Sequence, residues 1–228
     1  MNSTDSAPRT RPGRAWPISL LGAGLALAIT AGVGACQAQP DDDFGAPAVT
    51  TLASSAPPAP ETVAKVPIQD GTPPRAATAD KPTSLRIPAL KLEATVDAVG
   101  IDQATGDFAV PPSVDQVGWY RYGPGFSART GSIVIAGHVD SAAEGKGAFF
   151  RLGSLEDGDT VTLTGADGKQ RVFEVVARER YRKTAIPLDK YFARDGEVRL
   201  TLITCGGPFD QKTGHYRDNV VVTASARS

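Results

Sequence analysis

The sequence predicts a mostly β domain, a closed barrel or a sandwich, exported behind an N-terminal membrane segment and a linker. Three observations carry that expectation. Short alternating apolar runs recur between turn residues from Lys81 onward. Helical periodicity is nearly absent from the same region. Near the N-terminus, an uncharged stretch has arginines before it and aspartates after it. The net charge of −1 supplies no basic field, so no nucleic-acid partner is expected. A hydrophobic fraction of 41% suits a soluble domain and is too low for a multi-span membrane protein.

Residues 1–14 carry Arg9, Arg11 and Arg14 and read as a cytoplasmic tail. Residues 15–36 follow without a charge, and their apolar centre runs from Ile18 to Ala35. At the rise of an α-helix those residues extend about 27 Å, enough to cross the hydrocarbon of a bilayer. Asp41, Asp42 and Asp43 lie beyond, which puts the remainder of the chain outside. Three readings of the span stay open: a retained single-pass anchor, a cleaved signal peptide, or a lipobox, "VGAC", with lipidation at Cys36. All three place the protein at the extracytoplasmic side of the cell membrane.

Residues 37–80 are rich in Pro and Ala, with Phe44 as their one aromatic. Such a composition buries too little apolar surface to offset its ordering entropy, so an extended linker is expected. Residues 81–228 then form one domain. Strands are predicted at "SLRIP" (84–88), "KLEATVDAVG" (91–100), "GSIVIAGH" (131–138), "EVRLTLITC" (197–205) and "NVVVTA" (219–224). Between them, Asp167-Gly168 inside "DTVTLTGADGKQRVFEVV" predicts a hairpin with a two-residue type I′ turn. "IPLDKYFA" (186–193) gives one short helical turn.

The chemistry-bearing residues are few. Only Cys36, Cys205, His138 and His215 represent their types, which excludes a CxxC zinc site and a disulfide framework; no metal or cofactor is expected. Cys205 closes an apolar strand just before Gly206, Gly207 and Pro208, with pairing expected to stop at the proline. That position suits a thiol that meets a ligand, although a free cysteine is also a common core residue. His138 ends a second apolar strand in the same manner, with Asp140 two residues on. Cysteine and histidine at the ends of two strands are the halves of a Cys–His nucleophilic site, thiolate to attack and imidazolium to return a proton. Arg217, placed before a third apolar strand, offers a permanent cation for an oxyanion. Such a couple predicts slow turnover and a bell-shaped pH profile. His215 is expected in a loop, and Trp119 and Tyr120 in the core or a groove wall.

"GHVDS", "TLITCGG" and "YRDNVVVTA", in that order on an exported β domain, resemble a sortase. The similarity extends through "RIPAL", "VDAVGID", "VGWY" and "GAFFRLGSLEDGD" to actinobacterial sortases, most closely class F. The resemblance implies a sortase-like eight-stranded β-barrel with few short helices. It also implies a cysteine transpeptidase that cleaves an LPxTG-like sorting signal through a thioacyl intermediate. The acyl group then passes to an amine, typically of a peptidoglycan precursor. His138 carries over as general acid/base, Cys205 as nucleophile, Arg217 as the oxyanion-binding or substrate-binding arginine, and Thr204 as a pocket residue. Asp140 either holds the loop after His138 or orients the imidazole. By the register of class A sortases Asn219 aligns with the arginine; 217 and 219 share a strand face, and only Arg217 has the charge. A monomer is expected. The rival readings are an L,D-transpeptidase, whose "SHGC" signature is lacking, and a non-catalytic exported binding protein.

Overall fold

The computed structural model describes residues 43–54, 80–101 and 108–227. The tail, the apolar span with Cys36, and linker residues 37–42 and 55–79 lie outside the described residues. Among the described residues no helix is long and apolar enough to cross a membrane. Among the described residues ten strands form: β1 (Pro82–Ile87), β2 (Leu92–Val99), β3 (Val117–Tyr120), β4 (Ser132–Gly137), β5 (Asp140–Ser141), β6 (Gly145–Lys146), β7 (Thr160–Gly165), β8 (Gln170–Arg182), β9 (Arg199–Asp210) and β10 (His215–Ala226). Two short helices accompany them, α1 (Ala46–Ala53) and α2 (Leu188–Tyr191). The latter falls inside the expected helical turn.

Eight of these strands close into a barrel in the order β1-β2-β3-β4-β9-β10-β8-β7, with β7 returning to β1. Closure leaves no unpaired sheet edge. The pairs β2–β3 and β4–β9 are parallel and the rest antiparallel. Alternation explains the interior: Leu85 and Ile87 of β1, Val161 and Leu163 of β7, Leu200 and Leu202 of β9, and Val222 and Ala224 of β10 all face one buried cluster. Phe149, Leu152 and Leu155, from the connection between β6 and β7, join the same cluster. Each such side chain removed from water contributes about 1.5–3 kcal/mol.

β4 differs. Every residue of "SIVIAG" is buried. Ile133 and Ile135 enter the barrel, whereas Val134 and Ala136 join a second cluster on the outer wall with Ile203, Val221, Ala177 and Tyr191. A strand covered on both faces carries apolar residues at consecutive positions, as parallel strands do.

Four expectations are corrected. The linker reading fails over residues 43–54, because α1 docks on the outer wall with Val49 fully buried and Leu52 nearly so. Phe44 and Arg178 exchange backbone hydrogen bonds of 2.9 and 3.0 Å, and the Asp43 carboxylate accepts from the Arg180 N–H at 3.0 Å. At Gly45, φ is +80° and a Cβ would collide with Val176 and Ala177, so glycine is required where the segment turns onto the barrel.

The β7–β8 turn is not the two-residue form. Gly168 N–H donates to Gly165 O at 3.0 Å, Gly165 N–H to Lys169 O at 2.9 Å, and only Gly168 has positive φ. That pattern is a type I turn followed by a left-handed bulge residue, the three-residue hairpin. Finally, β9 does not stop at Pro208 but runs to Asp210, and His215 opens β10 rather than sitting in a loop. Gly206 pairs with Asp218 and Phe209 with Tyr216, so Gly207 and Pro208 together oppose Arg217 in a β-bulge. Pro208 breaks no ladder there because a bulge leaves a residue unpaired.

Candidate active site

Three neighbouring strands, β4, β9 and β10, position the chemistry-bearing residues. β4 and β9 run parallel with Ala136 beside Ile203. His138 and Cys205 are each two residues beyond that pair, so adjacent strands deliver imidazole and thiol at the same end of the barrel. One residue earlier on each strand, the buried Thr204 hydroxyl donates to Gly137 O at 2.9 Å. This bond fastens the two strands immediately before both reactive groups.

The Cys205 thiol is free and partly exposed. It lines a groove of about 540 Å³ with Thr204, Asn219, Ile203, Ala136 and Gly137. Phe108, Tyr120 and Phe192 wall the groove and pack edge-to-face on one another, with ring centroids 5.1–5.8 Å apart. Ile186 and Leu188 extend this apolar wall, and among the described residues Lys183 is the one charged residue lining it. A mostly apolar cleft with a few polar groups beside a nucleophile suits an extended peptide. Tyr120 is thus groove wall, while Trp119 is core, 2% exposed, with its indole N–H donated to Pro124 O.

His138 is half-buried. Its Nε2 lies 2.9 Å from Pro111 O. A carbonyl only accepts, so Nε2 carries the hydrogen in that bond and Nδ1 is the nitrogen left to exchange a proton. Asp140 does not touch the imidazole. Its Oδ2 accepts instead from the Tyr216 hydroxyl at 2.5 Å, which ties the segment after His138 to β10.

Asn219 is the direct cross-strand partner of Cys205 and lines the groove. Arg217, two residues away on the same strand face, is exposed and gives its guanidinium to Asp210 at 3.2 Å. Asp210 is held below the ordinary carboxylate range, first by the Lys212 backbone N–H and then by this arginine. The structure therefore gathers Thr204, Cys205 and Asn219 on one groove, brings His138 to the same end of the neighbouring strand, and leaves the Arg217 side chain paired with Asp210. Pro111, Tyr216, Phe108 and Phe192 escaped the sequence reading. Pro111 and Phe192 come from distant loops, and only the position of Tyr216 next to Arg217 gave any signal.

A family model for the sortase domain matches residues 85–227. A comparison with curated proteins finds no match. Among solved structures, a lid mutant of sortase A from Corynebacterium diphtheriae is 22% identical, with 64% of this chain and 69% of that chain covered and a TM-score of 0.49. Sortase C-1 from Actinomyces oris is 19% identical over 64% of this chain and 73% of that one, TM-score 0.49. Sortase C from Clostridium perfringens is 16% identical over 64% and 68%, TM-score 0.47. The family match takes in nearly the whole barrel, from β1 to the end of β10, and by it this chain belongs to the sortase family.

Proposed function

We propose that this chain is an extracytoplasmic cysteine transpeptidase of the class F type, acting on proteins that bear an LPxTG-like sorting signal. The observation that carries the reading is the delivery of Cys205 and His138 to the same end of the barrel by adjacent parallel strands, with Cys205 on an apolar groove. A peptide laid in the groove presents a backbone carbonyl to the thiolate. The S–C bond forms, negative charge collects on the carbonyl oxygen, and the C–N bond then breaks. His138, protonated at Nδ1, gives its proton to the leaving amine. An amine, typically of a peptidoglycan precursor, next attacks the thioester carbon. His138 takes the proton from that nitrogen, the new C–N bond forms and the thiolate leaves. Asn219 beside the thiol supplies an amide donor for the oxyanion, and Arg217 supplies a charged one once it exchanges Asp210 for substrate. The N-terminal apolar span, as anchor or lipidated stem, holds the barrel at the outer membrane surface.

Mass spectrometry of the protein mixed with a panel of LPxTG-like peptides tests this directly. An acyl adduct is expected on the wild type and absent from Cys205→Ala, whose turnover falls by at least about a thousandfold. Adduct formation that survives in Cys205→Ala, or a wild type that acylates with no peptide of the panel, rejects the proposal.

A further inference from the structure

The segment after His138 forms a small arm. β5 and β6 pair through Asp140 with Lys146 and Ser141 with Gly145. The chain then returns to its root, where Gly147 N–H donates to Val139 O at 2.9 Å and Phe149 N–H to His138 O at 3.0 Å. A Cβ on Gly147 would collide with the His138 carbonyl, so the return strand presses directly against the histidine backbone. The arm and the histidine consequently move as one piece.

Among the described residues, one side-chain hydrogen bond links this arm to β10. The Tyr216 hydroxyl donates to Asp140 Oδ2 at 2.5 Å, the short distance of a bond to a charged acceptor. Asp140 has no other side-chain partner among the described residues. Tyr216 is braced from its far side by Phe209, ring centroids 5.1 Å apart. Its neighbour Arg217 stands opposite the Gly207–Pro208 bulge, where ladder pairing is interrupted and the strand needs another restraint. The adjacent Asp140 carboxylate, then burial, raises the Tyr216 phenol above its ordinary value, so it remains a donor throughout the neutral range.

We infer that Tyr216 and Asp140 form a positioning clasp that holds the His138 arm to the strand carrying Arg217 and Asn219. Resting on the transpeptidase reading, it assigns these residues to the spacing of imidazole and oxyanion donors around the thiol, and neither touches the reacting atoms. The test uses the full chain, a peptide containing Leu-Pro-Ala-Thr-Gly, and iodoacetamide as a probe of Cys205. Tyr216→Phe and Asp140→Ala each lower kcat about tenfold, while KM for the peptide stays within about twofold. Asp140→Asn keeps an acceptor oxygen and recovers most of that loss. The rate of Cys205 alkylation near neutral pH falls in the same order. Wild-type kcat in Tyr216→Phe, a fall expressed in KM, or Asp140→Asn no better than Asp140→Ala overturns the clasp. Should wild type be alkylated at Cys205 yet cut no peptide, the transpeptidase reading fails, and the alkylation order alone decides the clasp. If Tyr216→Phe melts out at assay temperature, the two Asp140 variants carry the same comparison.

Discussion

The barrel has apolar clusters on both sides of one wall, and the two are built differently. Inside, Leu85, Leu163, Phe173, Leu202 and Val222 come from five strands of the barrel, and all are fully buried. Outside, Val49, Val134, Tyr191, Ile203 and Val221 come from a docked helix, a short helix and three strands. That outer cluster is bordered by Phe108, Tyr120, Ile186 and Phe192, which also wall the groove beside Cys205. The inner cluster closes on itself, and the outer one opens into the candidate site. Packing that is complete on one face of β9 and incomplete on the other leaves room for a peptide next to the thiol.

Truncating one aromatic on each side separates the two roles, and this is the largest effect expected. Phe173→Ala, in the interior, costs about 3–5 kcal/mol of unfolding free energy in a denaturant titration. Peptide KM in the surviving folded protein stays close to wild type. Phe192→Ala, partly exposed on the groove, costs less than half as much but raises KM several-fold, because it removes wall rather than core. Equal stability losses with no change in KM for Phe192→Ala break the comparison.

The same division explains what was legible from sequence. β1, β2, β4, β7 and β8 follow alternation or continuous apolar runs, and His138 and Cys205 were placed by the way their runs end. The outer cluster was not legible, because no periodicity marks residues whose partners lie on other elements. α1 is the clearest case. Eight residues rich in Ala and Thr do not hold a helix alone in water, and this one exists by burying Val49 and Leu52 against the wall. Its C-terminal carbonyl at Leu52 accepts from Glu197 N–H at 2.9 Å and from the buried Arg199 guanidinium at 3.4 Å. Arg199 in turn donates to the carbonyls of Asp195, Glu197 and Lys190. Wholly buried, it has its charge discouraged by desolvation; its Nη atoms donate to backbone oxygens from three segments, while Nε has no partner among the described residues. Arg217 is a second case: its engagement with Asp210 depends on a bulge that no local pattern announces.

The outer cluster also carries a pH signature that the inner one lacks. The Tyr191 hydroxyl donates to Glu179 Oε2 at 2.6 Å and the Tyr181 hydroxyl to Glu179 Oε1 at 2.7 Å. Burial first, with the Glu179 carboxylate adding to it, pushes the Tyr181 phenol up to about 12, and burial raises Tyr191 further. A folded value above the unfolded one means that the protonated phenol favours the native state. The contribution is complete below the ordinary phenol value of about 10 and drains away as pH climbs toward 12. Unfolding free energy is therefore expected to fall between those limits in wild type. Tyr181→Phe starts about 1 kcal/mol lower at neutral pH, from the lost hydrogen bond, and the gap to wild type narrows across the same window. A gap that stays constant to pH 12 removes Tyr181 from the account.

The smallest effect concerns the rim, beyond the reach of either cluster. Asp210 and Arg217 form an exposed pair, and exposed pairs contribute about 0–1 kcal/mol. Asp210→Asn should leave the melting temperature nearly unchanged, since the amide oxygen still accepts the Lys212 N–H. Catalysis responds differently if Arg217 must leave Asp210 to meet an oxyanion. Removing the competing carboxylate then raises kcat/KM by up to about fivefold, the full worth of such a pair. The gain must vanish in an Arg217→Ala background, because only the pairwise term is at issue. A fall in kcat/KM instead means that Asp210 aims the guanidinium rather than restraining it. An unchanged kcat/KM means that the guanidinium is not the donor, and the Asn219 amide, paired directly opposite Cys205, takes that role.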